Sequence, residues 1–305
     1  MADSQLKNND MALKSTPADV VATIVKKRPE LSRKHDLIAA YVLENSRAFI
    51  RCTSREICAE LNTSEPTLIK FCQLFGYSGL SAFRIDLALA LASPERGSGF
   101  VEPLANDRRQ VNLVAKQHIA RRAAQLVADD QSLLIDNGST AEIFAMVLDE
   151  VPAKTIMTTG LLVAQNAMAH GQHTVMLTGG RIRPNALSMA GRMVESNIKT
   201  MNFDTFVMSA DSIDPVTGLS SFHEDEANNT RCMVDSARRV IVLADLTKIS
   251  KPSLYNICGL DRVDILVTDL PTDNPAFAIF EANDVSVISV AKDMPPLREK
   301  NDAAA

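Results

Sequence analysis

Apolar residues recur at helical spacing through the first part of the chain and give way to short β-type runs in the rest. From about Ala18 to Leu91, Leu37, Ile38, Tyr41, Val42 and Leu43, then Ile57, Cys58 and Leu61, then Leu68, Phe71, Cys72 and Phe75 fall at intervals that line one helical face. No strand-like alternation interrupts them. The pattern predicts an all-α domain over 18–92, behind a polar tail over 1–17 that reads as disordered. Ser93-Pro94-Glu95-Arg96-Gly97-Ser98-Gly99 and then Pro103 break the helical pattern and predict a linker over 93–107. A helix is expected over 108–128. After Asp130 seven strand candidates appear: Leu133–Ile135, Thr155–Thr158, Thr174–Thr178, Thr205–Ser209, Val240–Ala244, Asp264–Thr268 and Val285–Val290. Helical patterns at 141–149, 161–169 and 225–238 lie between several of them. Continuous apolar strands alternating with helices predict an α/β domain over 108–292, built on a mostly parallel, doubly wound sheet. The tail over 293–305 reads as disordered.

Composition adds limits. The chain is 46% hydrophobic and 23% charged, ordinary for a globular protein, and with no Trp its cores rest on aliphatic residues. No run approaches the ~18 apolar residues of a membrane helix. The N-terminus has no charged-then-apolar leader, so a cytoplasmic protein without membrane attachment is expected. Cys52, Cys58, Cys72, Cys232 and Cys258 form no C-x-x-C pair, which argues against a disulfide framework or zinc site. Cys52, Cys58 and Cys72 are expected in the core. His170 and His173 lack a nearby carboxylate and read as a solvated loop, so no metal or cofactor is expected. The net charge of −5 is uneven: residues 1–100 carry 13 Lys/Arg against 11 Asp/Glu. A near-neutral head on an acidic body binds DNA only where its basic groups cluster.

One constellation in the helical part carries chemistry. Thr53 followed by Glu56 is a capping-box signature for a helix over Thr53–Leu61. Asn62-Thr63 makes a tight turn. Ser64 is placed to cap a second helix, in whose first turn Pro66 is tolerated. Two short helices so joined form a helix-turn-helix, whose second helix presents its N-terminal side chains to base edges. Thr53, Arg55, Ser64, Glu65, Thr67 and Lys70 are the candidate DNA contacts, while Leu68, Phe71 and Cys72 face the core. A small helical dimerisation bundle with a solvated Ser/Glu/Thr face is the alternative. Thr53, Arg55, Glu56 and Ile57, then Ser64, Thr67, Lys70, Phe71 and Cys72, then Gly76-Tyr77-Ser78-Gly79 with Phe83 and Leu87, resemble the helix-turn-helix domain of the RpiR family of sugar-responsive regulators. Lys70 stands where that family usually has Arg, which keeps the charge but loses bidentate recognition.

Three strand ends in the second part are rich in small polar residues. Asp136-Asn137-Gly138-Ser139-Thr140 follows the first strand and opens a helix, as an anion cradle would. Met157-Thr158-Thr159-Gly160 ends the second. Leu177-Thr178-Gly179-Gly180-Arg181-Ile182-Arg183 follows the third, with two arginines able to hold a phosphate. Each could be an ordinary turn or cap; three in succession favour one shared crevice. His223-Glu224-Asp225-Glu226 is an acidic stretch that reads as a lid or a helix start.

These segments, with Gly191, Asp204-Thr205-Phe206-Val207, Asp211, Gly218-Leu219, Leu243-Ala244-Asp245-Leu246-Thr247-Lys248 and Thr268-Asp269, resemble the C-terminal sensor domain of the DeoR family over about 113–270. The resemblance implies a fold like that of ribose-5-phosphate isomerase and glucosamine-6-phosphate deaminase. It implies a small effector, usually a sugar phosphate, bound by Asp136, Gly138, Ser139, Thr140, Thr158, Thr159, Gly179, Gly180, Arg181, Arg183, Asp211, Glu226, Arg231, Asp245 and Lys248. The family's E-A-x-x-K-R appears as Glu226-Ala227-Asn228-Asn229-Thr230-Arg231, so Thr230 replaces a lysine expected near the ligand. Together the two resemblances imply a transcriptional regulator, more often a repressor, that binds double-stranded operator DNA as a homodimer or homotetramer. The alternative is a sugar-phosphate isomerase-like enzyme using Asp136, Asp211 or Asp245 as acid or base. The missing lysine and the DNA-reading head speak against it, and no catalytic residue is assigned.

Overall fold

In the computed structural model, which describes residues 20–92, 101–249 and 252–293, the first unit is built from helices alone. Of the tails expected over 1–17 and 293–305, residues 1–17 and 294–305 lie outside the described residues, as do linker residues 93–100, whereas Asp293 closes a 3-10 turn over Ala291–Asp293. Two units are distinguished, Met1–Val111 and Asn112–Ala305.

The first unit comprises α1 (Val20–Lys27), α2 (Arg33–Glu44), α3 (Ser46–Arg51), α4 (Ser54–Glu60), α5 (Glu65–Leu74), α6 (Leu80–Leu91) and α7 (Ala105–Gln110). Its core is aromatic at the centre: Phe83 meets Phe49 and Phe71 edge-on, with ring centroids 5.7 and 5.6 Å apart. Each such pair contributes about 0.5–1.5 kcal/mol beyond burial. Ile38, Tyr41, Val42, Ile57, Leu68 and Cys72 are buried as expected. Leu37 is 49% exposed, because the buried stripe of α2 runs through Ile38, Tyr41 and Val42 and leaves Leu37 at its margin. Cys52 and Cys58 are only half-buried.

Two expectations are corrected here. Residues 101–107 are not linker but part of the helical unit: Val101 joins its core, and Asp107 on α7 forms a buried ion pair with Arg84 on α6. The helix expected over 108–128 is broken, because Asn112 adopts a left-handed φ of 54° between α7 and α8 (Leu113–Leu126). Asn is one of the few residues that take this conformation at low cost.

Among its described residues the second unit carries twelve strands. Seven of them, β1 (Ser132–Ile135), β2 (Thr155–Thr158), β3 (Thr174–Leu177), β6 (Phe203–Ser209), β9 (Ala237–Ala244), β11 (Ile265–Thr268) and β12 (Ser286–Ser289), are the seven read from the sequence. They form one sheet in the order β12-β11-β9-β6-β1-β2-β3, parallel at every pairing. The helices α8, α9 (Ser139–Met146) and α10 (Leu161–Ala167) bury Ile119, Phe144 and Val163 in one core. The helices α11 (Arg192–Ile198), α12 (Glu224–Asp235) and α13 (Pro275–Ala282) bury Val194, Met233 and Phe280 in another. The sheet is therefore doubly wound, and its chain order reverses between β1 and β6.

The remaining strands are not among the seven expected ones. A hairpin, β4 (Arg181–Arg183) with β5 (Ser188–Ala190), follows β3. A small antiparallel sheet joins β7 (Ser212–Asp214), β8 (Gly218–Ser221) and β10 (Tyr255–Cys258). Gly218 starts β8 at φ 89°, and a Cβ there would run into the Cys258 carbonyl and come within 2.8 Å of Gly259 Cα. Gly218→Ala is therefore expected to destabilise the second unit by about 2–4 kcal/mol, combining left-handed strain with overpacking. Urea denaturation checks this; an unchanged midpoint would show that the β8–β10 contact yields freely.

Candidate functional site

The reading edge of the first unit is built by caps. Thr53 and Glu56 form the expected capping box: the Thr53 amide donates to Glu56 Oε2 at 2.7 Å and the Glu56 amide to Thr53 Oγ1 at 3.2 Å. Tyr41 on α2 donates to Glu60 Oε2 at 2.6 Å, and burial with this bond pushes the phenol up to about 12, so it stays a neutral donor pinning α4. The turn closes through Asn62, at φ 46°, and the Thr63 amide on the Cys58 carbonyl at 2.9 Å. Ser64 occupies the cap position of α5, but its hydroxyl meets Thr67 Oγ1 at 2.9 Å and caps no amide, which corrects the expectation. Glu65 accepts from the Ser54 hydroxyl, tying the start of α5 to α4.

Thr53, Arg55, Ser64, Glu65 and Lys70 are exposed and Thr67 half-buried, while Leu68, Phe71 and Cys72 are fully buried. Sequence reasoning missed what stands behind this edge. Arg84 spends its guanidinium on the Phe49 carbonyl (2.9 Å), the Cys52 carbonyl and Asp107 Oδ2 (3.1 Å). It thereby holds the end of α3 immediately before Thr53.

In the second unit the carboxyl ends of β1 and β6 meet where the chain order reverses. Gly138 has φ 122°, and a Cβ there would lie 3.0 Å from Ser209 Cβ, so the β1 turn and the end of β6 come together only around a glycine. Ser209 Oγ accepts the Ala141 amide at 2.9 Å and fixes the first turn of α9. Asp136 is 5% exposed. Burial first, then the Glu226 and Asp211 carboxylates, raise its carboxyl well above the usual carboxylate range, against the Asn137 amide and the Arg183 guanidinium. Ser221 Oγ donates to Asp211 Oδ2 at 3.0 Å, with Glu226 Oε2 at 3.3 Å. Arg183 pairs with Glu226 at 3.2 Å, and Asn137 Nδ2 donates to Glu226 Oε1 at 3.3 Å. Three carboxyl groups around one guanidinium line this place with oxygens able to accept from hydroxyl donors. Ser139 and Thr140 open α9, where first-turn amides have no intrahelical partner and favour an anion.

The other sequence candidates divide. At the second strand end Thr158 Oγ1 accepts the Gly160 amide and the Leu161 amide donates to the Leu187 carbonyl, while Thr159 is buried beside them. Gly179 and Gly180 lead into the β4–β5 hairpin, and exposed Arg181 on that hairpin pairs with Asp225. Arg231 points its guanidinium at the Asn256 carbonyl on β10 and at Asn228, so it ties α12 to the small sheet. Asp245 is buried, accepting the Thr247 amide and Asn112 Nδ2 at 3.0 Å each, and caps the turn that carries half-buried Lys248. The acidic stretch from His223 becomes the first turn of α12, with Glu224, Asp225 and Glu226 at its positive end. Asn137, Ser188, Ser209, Ser221 and Asn229 were not among the sequence candidates. Asn137 and Asn229 lay inside motifs legible in the sequence and Ser209 ended a strand candidate, whereas Ser188 and Ser221 carried no signal.

Residues 111–270 match the DeoR C terminal sensor domain, and residues 18–94 match the helix-turn-helix domain of the rpiR family. A relative from Escherichia coli O157:H7, named for transcriptional repression of the aga operon, is 30% identical over 57% of this chain and 65% of its own length. The glycerol-3-phosphate regulon repressor of Escherichia coli K12 is 26% identical over 54% of this chain and 66% of its own. Both matches thus span just under two thirds of the relative. Among solved structures, ribose 5-phosphate isomerase A from Methanocaldococcus jannaschii aligns at TM-score 0.35 and 19% identity, over 46% of this chain and 56% of that one.

Proposed function

The chain belongs to the family of the DeoR C terminal sensor domain, and from that premise we propose that it is a DNA-binding transcriptional regulator controlled by a small polyhydroxylated effector such as a sugar phosphate. The observation that carries the effector reading is the convergence of Asp136, Asp211, Glu226 and Arg183 at the reversal between β1 and β6. Open parallel sheets bind ligands at that place. Asp136, Asp211 and Glu226 accept effector hydroxyls there, and Ser139 with Thr140 receives an anionic end. The chain is a regulator and not an isomerase, in keeping with its family and with the names of its relatives. Repression is the sense those names favour. It acts in the cytoplasm as a dimer or tetramer, since paired readers match operator half-sites about one helical turn apart. Effector binding changes operator affinity to the extent that the two states bind the effector differently.

Thr53, Arg55, Ser64, Glu65, Thr67 and Lys70 form the duplex contact in this reading. Lys70→Ala is expected to weaken retention on every duplex alike and to lower the slope of log affinity against log salt by about one. Filter retention across a salt series measures it. A wild-type chain that enriches no sequence from a random duplex pool, or a Lys70→Ala slope equal to the wild-type one, overturns the assignment.

A further inference from the structure

We propose that Thr159, Ser188 and Asn229 form a neutral subsite that binds one hydroxyl group of the effector. The inference rests on the regulator reading in taking the strand-end crevice as the place of the ligand. All three residues are sealed in the second unit, at 2%, 1% and 4% exposure. Thr159 Oγ1, Ser188 Oγ and Asn229 Oδ1 have no hydrogen-bond partner among the described residues. Buried polar atoms are nearly always paired, so three orphans in one neighbourhood call for a specific cause.

They do share a neighbourhood, around the backbone of Ser188 and Met189. The Met189 amide donates to the Thr159 carbonyl at 2.8 Å, and Asn229 Nδ2 reaches the Met189 carbonyl at 3.5 Å. Ser188 bridges Gly160, the residue after Thr159. The subsite adjoins the crevice by two routes. Asn229 lies three residues beyond Glu226 on α12, on the same helical face. Thr159 follows β2, which pairs with β1 directly before Asp136.

The atoms themselves define the ligand group. Asn229 Nδ2 on a carbonyl fixes the amide so that Oδ1 is left as an acceptor. That atom needs a donor, whereas the Thr159 and Ser188 hydroxyls can donate. A ligand hydroxyl offers one O–H and two lone pairs and satisfies all three together. A phosphate or carboxylate oxygen only accepts and would leave Asn229 unpaired. Thr230, buried where the DeoR resemblance has lysine, adds no charge here.

Calorimetric titration of the full chain with ribitol, glucitol and their phosphate monoesters tests the subsite. At least one probe is expected to bind the wild type. Ser188→Ala and the isosteric Thr159→Val are each expected to bind it about tenfold more weakly. Neither variant should melt lower than the wild type without ligand, because each loses an unpaired atom and no contact. Affinity unchanged in both variants, a lowered melting temperature with unchanged affinity (the mark of a structural water), or no binding by any probe would each overturn the proposal. Duplex retention on the same preparations tests the regulator reading separately.

Discussion

Arg84→Met is expected to destabilise the first unit by about 3–5 kcal/mol, the cost of leaving a buried charge without its partner. Arg84 and Asp107 are 2% and 5% exposed, and Ser81 Oγ donates to Asp107 Oδ1 at 2.8 Å. With the guanidinium gone, Asp107 keeps one neutral donor, and the Phe49 and Cys52 carbonyls lose theirs. Those carbonyls close α3, so the loss reaches the Thr53 cap and the reading edge. Operator retention should fall with stability, and cooling should restore part of it. The double substitution Arg84→Met with Asp107→Leu is expected to recover most of the loss, because an apolar pair of similar volume often replaces a buried ion pair at little cost. Urea denaturation of the two singles and the double forms a mutant cycle. A single Arg84→Met variant within about 0.5 kcal/mol of wild type, the usual effect of a surface change, would refute the clamp.

Asp136→Asn is expected to move stability and ligand response in opposite directions. A buried acid whose carboxyl is raised by burial and by Glu226 and Asp211 holds its proton more tightly folded than unfolded. Stability then falls as pH rises from the unfolded value near ~3.9 through the folded value, and the full penalty stands above it. Asparagine carries no such penalty. The variant should melt higher than wild type at pH 8, by about 2–4 °C for each kcal/mol of repulsion relieved, and the gap should close toward pH 4. Effector affinity should drop about 2- to 10-fold, the usual worth of one lost hydrogen bond, while operator retention is spared. Melting curves across pH with parallel titrations check both. A variant less stable than wild type at pH 8 would place Asp136 in a structural role.

The sheet was legible because each of its strands is a short apolar run flanked by polar turns, and parallel strands buried on both faces need no alternation. The hairpin and the small antiparallel sheet were not: β4, β5 and β7 have three residues each, too few for a period to register. Asp136, Asp211, Glu226 and Arg183 could be named from motif order, but which residues would meet depended on folding. Arg231 and Asp245 belong to the same motifs and were drawn to the backbone of β10 and to Asn112. Arg84 was hidden by its setting. It lies on the face of α6 that carries Phe83, Leu87 and Leu91, where a cation signals a buried partner, but Asp107 was assigned to a linker.

The β4–β5 hairpin is fastened to α12 by two ion pairs of unequal exposure, Arg181–Asp225 in solvent and Arg183–Glu226 largely shielded. Moving the hairpin off this helix requires parting both. Salt loosens the outer clasp much more than the inner one, so the shielded pair is what still joins hairpin and helix as ionic strength rises.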